Sequence, residues 1–120
     1  MARILVVDDE VEACEALKEY LTLKGHIVDI AYYGNSALEK MKACLPDIIL
    51  LDLIMPDIGG LEILKTMNEK YPGIKVIVVT VLNNEEDIFR TFELGACDYI
   101  AKPVNFELLD SVLNVQIGEI

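Results

Sequence analysis

Ile48-Ile49-Leu50-Leu51-Asp52-Leu53-Ile54-Met55-Pro56 is an unbroken apolar run that stops on a carboxylate and then turns at a proline. An apolar run without polar alternation is the pattern of a strand covered on both faces, as in a parallel sheet. Four more such runs follow the same reading: Ile4–Val7, Ile27–Ala31, Val76–Val79 and Tyr99–Ala101. The segments between them carry helical period. Val11, Cys14, Leu17 and Leu21 mark one face of the first, with Glu12, Glu15 and Glu19 opposite and Gly25 as the stop signal. The second helix is expected to open at Asn35 or Ser36, where Ser36-x-x-Glu39 reads as a capping box, and to stop before Pro46. Leu61, Leu64 and Met67 line the third, which ends at Pro72-Gly73. Ile88, Phe89 and Phe92 line the fourth, which ends at Gly95, and the fifth runs from about Asn105 to Ile117. Strand–helix units fill the chain, so the expected architecture is α/β, a (βα)5 doubly wound five-stranded parallel sheet, with residues 1–120 as a single domain.

Composition narrows the function classes. The chain has 120 residues, 10 Lys plus Arg against 21 Asp plus Glu, and a formal net charge of −11. Such a charge repels phosphate backbones, so direct nucleic-acid binding is not expected, while cations and basic partners are favoured. The longest stretches without a charged residue, Ile30–Leu38 and Val76–Asn84, fall far short of the roughly twenty residues that span a membrane. No signal-peptide pattern precedes Arg3, and a soluble, cytoplasmic protein is expected. Cys14, Cys44 and Cys97 form no paired spacing and read as small thiols, and the single histidine, His26, reads as a loop residue.

Doubly wound sheets bind ligands at the carboxyl ends of their strands, near the point where strand order reverses. Asp8 and Asp9 follow the first strand, Asp52 the third, Thr80 the fourth, and Lys102-Pro103 the fifth. Three carboxylates at one sheet edge raise one another's pKa values unless a cation lies among them. A hard divalent ion such as Mg²⁺ takes one or two carboxylates, waters and a phosphate oxygen. Lys102 and Thr80 then suit a phosphoryl group, as point charge and hydrogen-bond donor. Asp52, alone at the end of the central strand, is the expected nucleophile for that group. A phosphohydrolase with an aspartate nucleophile is disfavoured, because Ile54 stands where a general acid would be wanted. Asp8-Asp9-Glu10 likewise replaces the Ser/Thr/Gly-rich phosphate loop that a flavin module needs.

These residues carry a resemblance. Val7-Asp8-Asp9-Glu10, Leu51-Asp52-Leu53-Ile54-Met55-Pro56, Gly60, Thr80 and Gly95-Ala96-x-Asp98-Tyr99-x-x-Lys102-Pro103 together resemble the receiver domain of two-component response regulators, across essentially the whole chain. The resemblance implies strand order 2-1-3-4-5 in a flavodoxin-like three-layer sandwich. It implies that Asp52 accepts a phosphoryl group from the phosphohistidine of a sensor histidine kinase. Mg²⁺, or Mn²⁺ in its place, would be held by Asp9, Asp52 and the backbone carbonyl of Ile54, with Asp8 acting through water. Lys102 would contact a phosphoryl oxygen, Thr80 would move to hydrogen-bond it, and Tyr99 would swing into the space vacated. Pro56, Gly60 and Pro103 would set loop geometry, with a cis bond before Pro103. Such a protein is a signalling phosphoacceptor in a phosphorelay rather than an enzyme acting on other substrates.

The resemblance also implies partner surfaces. The first helix meets the kinase, and the face built by the fourth helix, fifth strand and fifth helix meets a downstream protein or effector domain, with a homodimer also compatible. The fifth helix is apolar on two sides: Val104, Leu108, Val112 and Val115 on one, Phe106, Leu109, Leu113 and Ile117 on the other. The second stripe is assigned here to the output surface. The helix holds no Lys or Arg, only Glu107, Asp110 and Glu119, so dimerisation through arginine ion pairs is not expected. Val81 stands where the family has a small residue, Ile54 and Leu82 where polar side chains can orient an attacking water, and Gly59 where Asp or Asn is usual. Val81 is expected to narrow the approach to Asp52 and slow phosphoryl entry, and a long-lived phosphoryl group is expected from Ile54 and Leu82.

Overall fold

Parallel neighbours require a crossover between them, and the chain supplies a helix for each. The computed structural model describes residues 1–118; Glu119, counted above in the last helix, and Ile120 lie outside the described residues. The elements alternate as β1 (Arg3–Val7), α1 (Val11–Leu23), β2 (Ile27–Ala31), α2 (Gly34–Ala43), β3 (Ile48–Leu51), α3 (Gly60–Lys70), β4 (Lys75–Thr80), α4 (Glu85–Glu93), β5 (Asp98–Ala101) and α5 (Phe106–Ile117). The strands form one parallel sheet in the order β2-β1-β3-β4-β5, in register Val7↔Ala31, Val7↔Leu51, Leu51↔Val78 and Thr80↔Ala101 at the carboxyl edge. The order reverses between β1 and β3. Asp8 and Asp52 therefore leave the sheet side by side at the switch point.

Alternation along the central strands divides the core into two layers. Leu5, Val7, Ile49, Leu51, Val76 and Val78 pack with Ala37 and Met41 of α2 and Ile63, Leu64 and Met67 of α3. Ile4, Val6, Ile48, Leu50, Ile77 and Val79 pack with Cys14, Leu17 and Leu21 of α1 and Leu109 and Leu113 of α5. Strands sandwiched this way have no solvent face, which is why their sequences do not alternate. The edge strands differ from that expectation. β2 alternates between exposed and half-buried positions, with Ile27 43% exposed, because no strand pairs beyond it.

Three helices differ from their sequence pattern. α2 begins at Gly34 rather than at Asn35 or Ser36, and the Ser36/Glu39 box is not its cap. Its N-cap residue, Tyr33, has no side chain able to serve, and the first two amides are taken instead by Asp57, from the loop after β3: Gly34 N–H donates to Oδ1 at 2.9 Å and Asn35 N–H to Oδ2 at 3.0 Å. In α4, Thr91 is the buried residue, while Phe89 and Phe92 are 66% and 45% exposed. Thr91 can face the core because its hydroxyl donates to the Ile88 carbonyl at 2.7 Å and leaves no polar atom unpaired.

In α5 the stripes exchange roles. Leu109 and Leu113 are wholly buried, and Leu108 and Val115 are the exposed pair. The rotation is set by α1. The Tyr20 ring stacks on Phe106 with centroids 4.4 Å apart, and its hydroxyl donates to Asp110, which also pairs with Lys24 at 3.4 Å. With Phe106 and Asp110 held against α1, Leu109 and Leu113 are turned onto the sheet. His26 is a loop residue with a structural partner, its Nδ1 accepting from the Ala2 amide at 3.1 Å.

Gly60 closes the loop that leaves β3. Its amide donates to the Leu53 carbonyl at 3.0 Å, and a Cβ there would lie 2.2 Å from Leu53 Cα and 2.7 Å from the Asp52 carbonyl oxygen, so only glycine fits. Gly59 has open space around it and an ordinary φ of −60°.

Two contrasts in urea unfolding check these placements. Leu113→Ala should cost about 2–5 kcal/mol and Leu108→Ala less than about 1 kcal/mol; equal costs would refute the rotation of α5. Gly60→Ala should cost more than about 2 kcal/mol, whereas Gly59→Ala should be neutral or stabilising by up to about 1 kcal/mol.

Candidate functional site

The site is assembled by strand ends. β1 runs out into Asp8 and Asp9, β3 into Asp52, and β5 into Lys102. Asp52 N–H donates to the Val7 carbonyl at 2.9 Å and Lys102 N–H to the Thr80 carbonyl at 2.9 Å, so the ladder continues one residue past the strands and fixes where each side chain starts. Asp8 and Asp52 are buried and Asp9 is exposed. One carboxylate oxygen from each can be chosen so that all three lie within 4.8 Å of one another.

Lys102 ties the group together. Its ammonium donates to Asp8 Oδ2 at 2.6 Å and Asp52 Oδ2 at 2.9 Å, and Glu10 lies at 3.5 Å. Burial opposes the charge on Lys102, but the two carboxylates outweigh it and hold the ammonium above its ordinary pKa. Burial likewise pushes Asp8 up, partly offset by the hydrogen bond from Lys102. The second oxygens of both buried carboxylates are held by their own loops: Glu10 N–H donates to Asp8 Oδ1 and Ile54 N–H to Asp52 Oδ1, each at 3.0 Å. Beneath them the Cys14 thiol donates to the Asp8 carbonyl at 3.2 Å, and burial with the nearby Asp8 charge pushes that thiol up to about 12. No disulfide joins the described cysteines.

The remaining expected residues surround this group. Thr80 is the last residue of β4 rather than the first beyond it, is wholly buried, and accepts from Leu82 N–H at 3.4 Å. Tyr99 packs among the core residues of the α2–α3 layer, and its buried hydroxyl finds no partner among the described residues. Burial raises its pKa. The Lys102–Pro103 bond is cis. Ile54 and Val81, 48% and 58% exposed, present apolar side chains to solvent at the rim. Asp57 is the contributor that the motifs do not include; Glu10 is part of the quoted motif, but the motif gives it no role. Asp57 could have been sought as the cap of a helix that has none of its own.

Chemically, three oxygen donors, one ammonium and no histidine or thiolate ligand fit a hard divalent cation rather than zinc or copper. Lys102 brings one positive charge to three acids, which leaves room for a divalent cation.

The comparisons agree with this geometry. Residues 4–114 match the family described as the response regulator receiver domain. The transcriptional regulatory protein ZraR of Salmonella typhimurium is 34% identical over 110 residues, 92% of this chain and 25% of that protein. DltR of Streptococcus agalactiae is 39% identical over 101 residues, 84% of this chain and 45% of that protein. The chain thus spans between a quarter and under half of the curated relatives it matches. Among solved structures, a two-component response regulator from Clostridium difficile superposes with a TM-score of 0.94 at 27% identity, covering 98% of this chain and 96% of that one. The response regulator protein TrrA of Thermotoga maritima, in complex with Mg²⁺-BeF, gives 0.88 at 34% identity, covering 97% and 99%. The fold, the strand-end cluster and these matches lead to one assignment: this chain belongs to the response regulator receiver family and is a receiver domain of two-component signalling.

Proposed function

We propose that Asp52 is the phosphoacceptor, that Asp8, Asp9, Asp52 and the Ile54 carbonyl hold Mg²⁺, and that phosphorylation alters the α4–β5–α5 face to control a downstream partner. The observation that carries this reading is the convergence of three carboxylates within 4.8 Å on one buried ammonium at the switch point of the sheet. Bound there, Mg²⁺ supplies charge neutralisation for the incoming phosphoryl group.

The chain's own residues account for the rest. An Asp52 carboxylate oxygen attacks phosphorus, an O–P bond forms, and the P–N bond of the donor phosphohistidine breaks, its electron pair staying on the imidazole nitrogen. Lys102, already 2.9 Å from Asp52, exchanges that contact for a phosphoryl oxygen and carries its charge with it. Asp8 keeps the ammonium in place during the exchange. Thr80 turns its hydroxyl from the Leu82 amide toward the phosphoryl group. That movement opens space beside β4 next to Tyr99, which pairs with Val78 in the register.

Partners follow from surfaces. An apolar groove of about 430 Å³ beside Lys102, lined by Ala13 and Leu17 of α1 and by Val81 and Phe106, suits the docking of a sensor histidine kinase. On the other side, Phe89, Phe92, Leu108 and Val115 leave apolar area for an output partner or a second copy. The charge of −11 argues against nucleic acid as that partner. No described helix is long and apolar enough to cross a membrane, in keeping with a cytoplasmic place of action. The domain acts on its own Asp52 alone, as one receiver over residues 1–120.

Incubation with acetyl phosphate tests this reading by intact mass. The wild type should gain one phosphoryl group only with Mg²⁺, and Asp52→Asn should gain none; a gain without Mg²⁺, or an equal gain in Asp52→Asn, would reject it. Ile54 cannot orient a water, so Ile54→Asn should shorten the lifetime of the phosphorylated form. An unchanged or longer lifetime would show that the rim does not govern hydrolysis.

A further inference from the structure

We infer that Asp57 is a positioning residue for the metal and phosphoryl chemistry at Asp52, acting by pinning the β3–α3 loop to the N-terminus of α2. This rests on the assignment of Asp52 and the Ile54 carbonyl to the site. The loop from Leu53 to Gly60 is anchored at its base, where Gly60 N–H donates to the Leu53 carbonyl and the two backbones are in contact. Asp57 anchors its tip. Both carboxylate oxygens are used, Oδ1 on the Gly34 amide at 2.9 Å and Oδ2 on the Asn35 amide at 3.0 Å. Such a paired grip fixes the direction of the carboxylate as well as its position.

Among the described residues, no other side chain takes these two amides. Tyr33 offers α2 no cap of its own, so the two amides and the Asp57 carboxylate depend on each other. The approach is tight at Gly34, where a Cβ would lie 2.7 Å from Ile63 Cδ1, 3.0 Å from Ile58 Cβ and 3.3 Å from Asp57 Oδ1, so any side chain there requires these neighbours to shift. Ile54 lies between the two anchors. Its amide holds Asp52 Oδ1 at 3.0 Å, and its carbonyl is the backbone member of the proposed metal set. Releasing the tip leaves that peptide with its base and the packing of Met55 and Ile58, but without the polar grip that sets its direction. Both the aim of the Asp52 carboxylate and the place of the carbonyl then depend on a contact made three residues further on, with a helix on the far side of the loop.

A capping role and a positioning role separate experimentally, because a local cap can replace the first and not the second. Asp57→Ala should lower Tm and weaken Mg²⁺ affinity by about tenfold, as loss of supporting groups around a metal does. It should also slow labelling by acetyl phosphate and speed hydrogen exchange at the Ile54 amide in the metal-free protein. Adding Tyr33→Asn gives α2 its own N-cap. The double variant should recover Tm while Mg²⁺ affinity and Ile54 exchange stay at the Asp57→Ala level. Unchanged affinity in Asp57→Ala, or recovery of affinity together with Tm in the double variant, would reduce Asp57 to a helix cap and overturn the inference. A wild type that takes neither Mg²⁺ nor a phosphoryl group would overturn the underlying assignment as well, and the wild-type control tells the two failures apart.

Discussion

The pairing of one buried ammonium with two buried carboxylates is the constraint on which the rest depends. Lys102 lies 2.6 Å from Asp8 and 2.9 Å from Asp52, contacts that reach across 94 and 50 residues of sequence. Two unit charges of like sign at 4.8 Å repel by about 3 kcal/mol at an effective dielectric of about 20. Three acids so placed repel one another unless positive charge lies among them. The ammonium supplies one positive charge against three negative ones, and a divalent cation would offset the remainder. Phosphorylation would add charge at the point where that balance is met. On the proposed function Lys102 would have two duties that compete for one group: it stabilises the resting cluster, and the phosphoryl oxygens would need it.

The fold makes this pairing possible because its strands are buried on both sides. An apolar strand interior cannot hold the acids, so they fall at the first position past each strand, and the parallel register delivers them to one edge. Lys102 arrives from β5, two strands away from β3, so its long side chain must lie along the edge across the end of β4. Thr80 is the residue that ends β4, small and wholly buried, and it leaves that path open. The positions with chemistry are thus the positions where the sheet stops.

This explains what could be read from the sequence. The central strands β1, β3 and β4 and their strand-end residues are legible because burial on both faces writes an apolar run, and these three runs end on Asp8, Asp52 and Thr80. Helix faces were less legible. α5 has two apolar stripes of similar size, and periodicity alone does not say which one meets the sheet; a stacked Tyr20–Phe106 pair and the Asp110 contacts on α1 decide it. The start of α2 was misread for a related reason. A local Ser36-x-x-Glu39 pattern was visible, whereas the actual cap comes from a carboxylate more than twenty residues later. In each case the missing information is a tertiary contact between polar groups on different elements, which one-dimensional patterning does not carry.

The same distinction applies to the switch. A two-state element needs arrangements of nearly equal free energy, and a small ligand-dependent term can then move the population. If Tyr99 is part of the switch, as proposed, it is suited to such near-balance. Its ring gains from packing in the α2–α3 layer, but its buried hydroxyl finds no partner among the described residues, at a cost of about 1–3 kcal/mol. The hydroxyl of Thr80 is similarly undercommitted, with only a long 3.4 Å contact from Leu82 N–H. Both groups sit beside a cluster whose charge balance phosphorylation would alter. Neither is held by the strong bonds that fix Asp8, Asp52 and Lys102. Rigid charges and loosely held hydroxyls therefore divide the labour. On the proposed function, the first set would fix where the phosphoryl group sits, and the second would be free to respond to it.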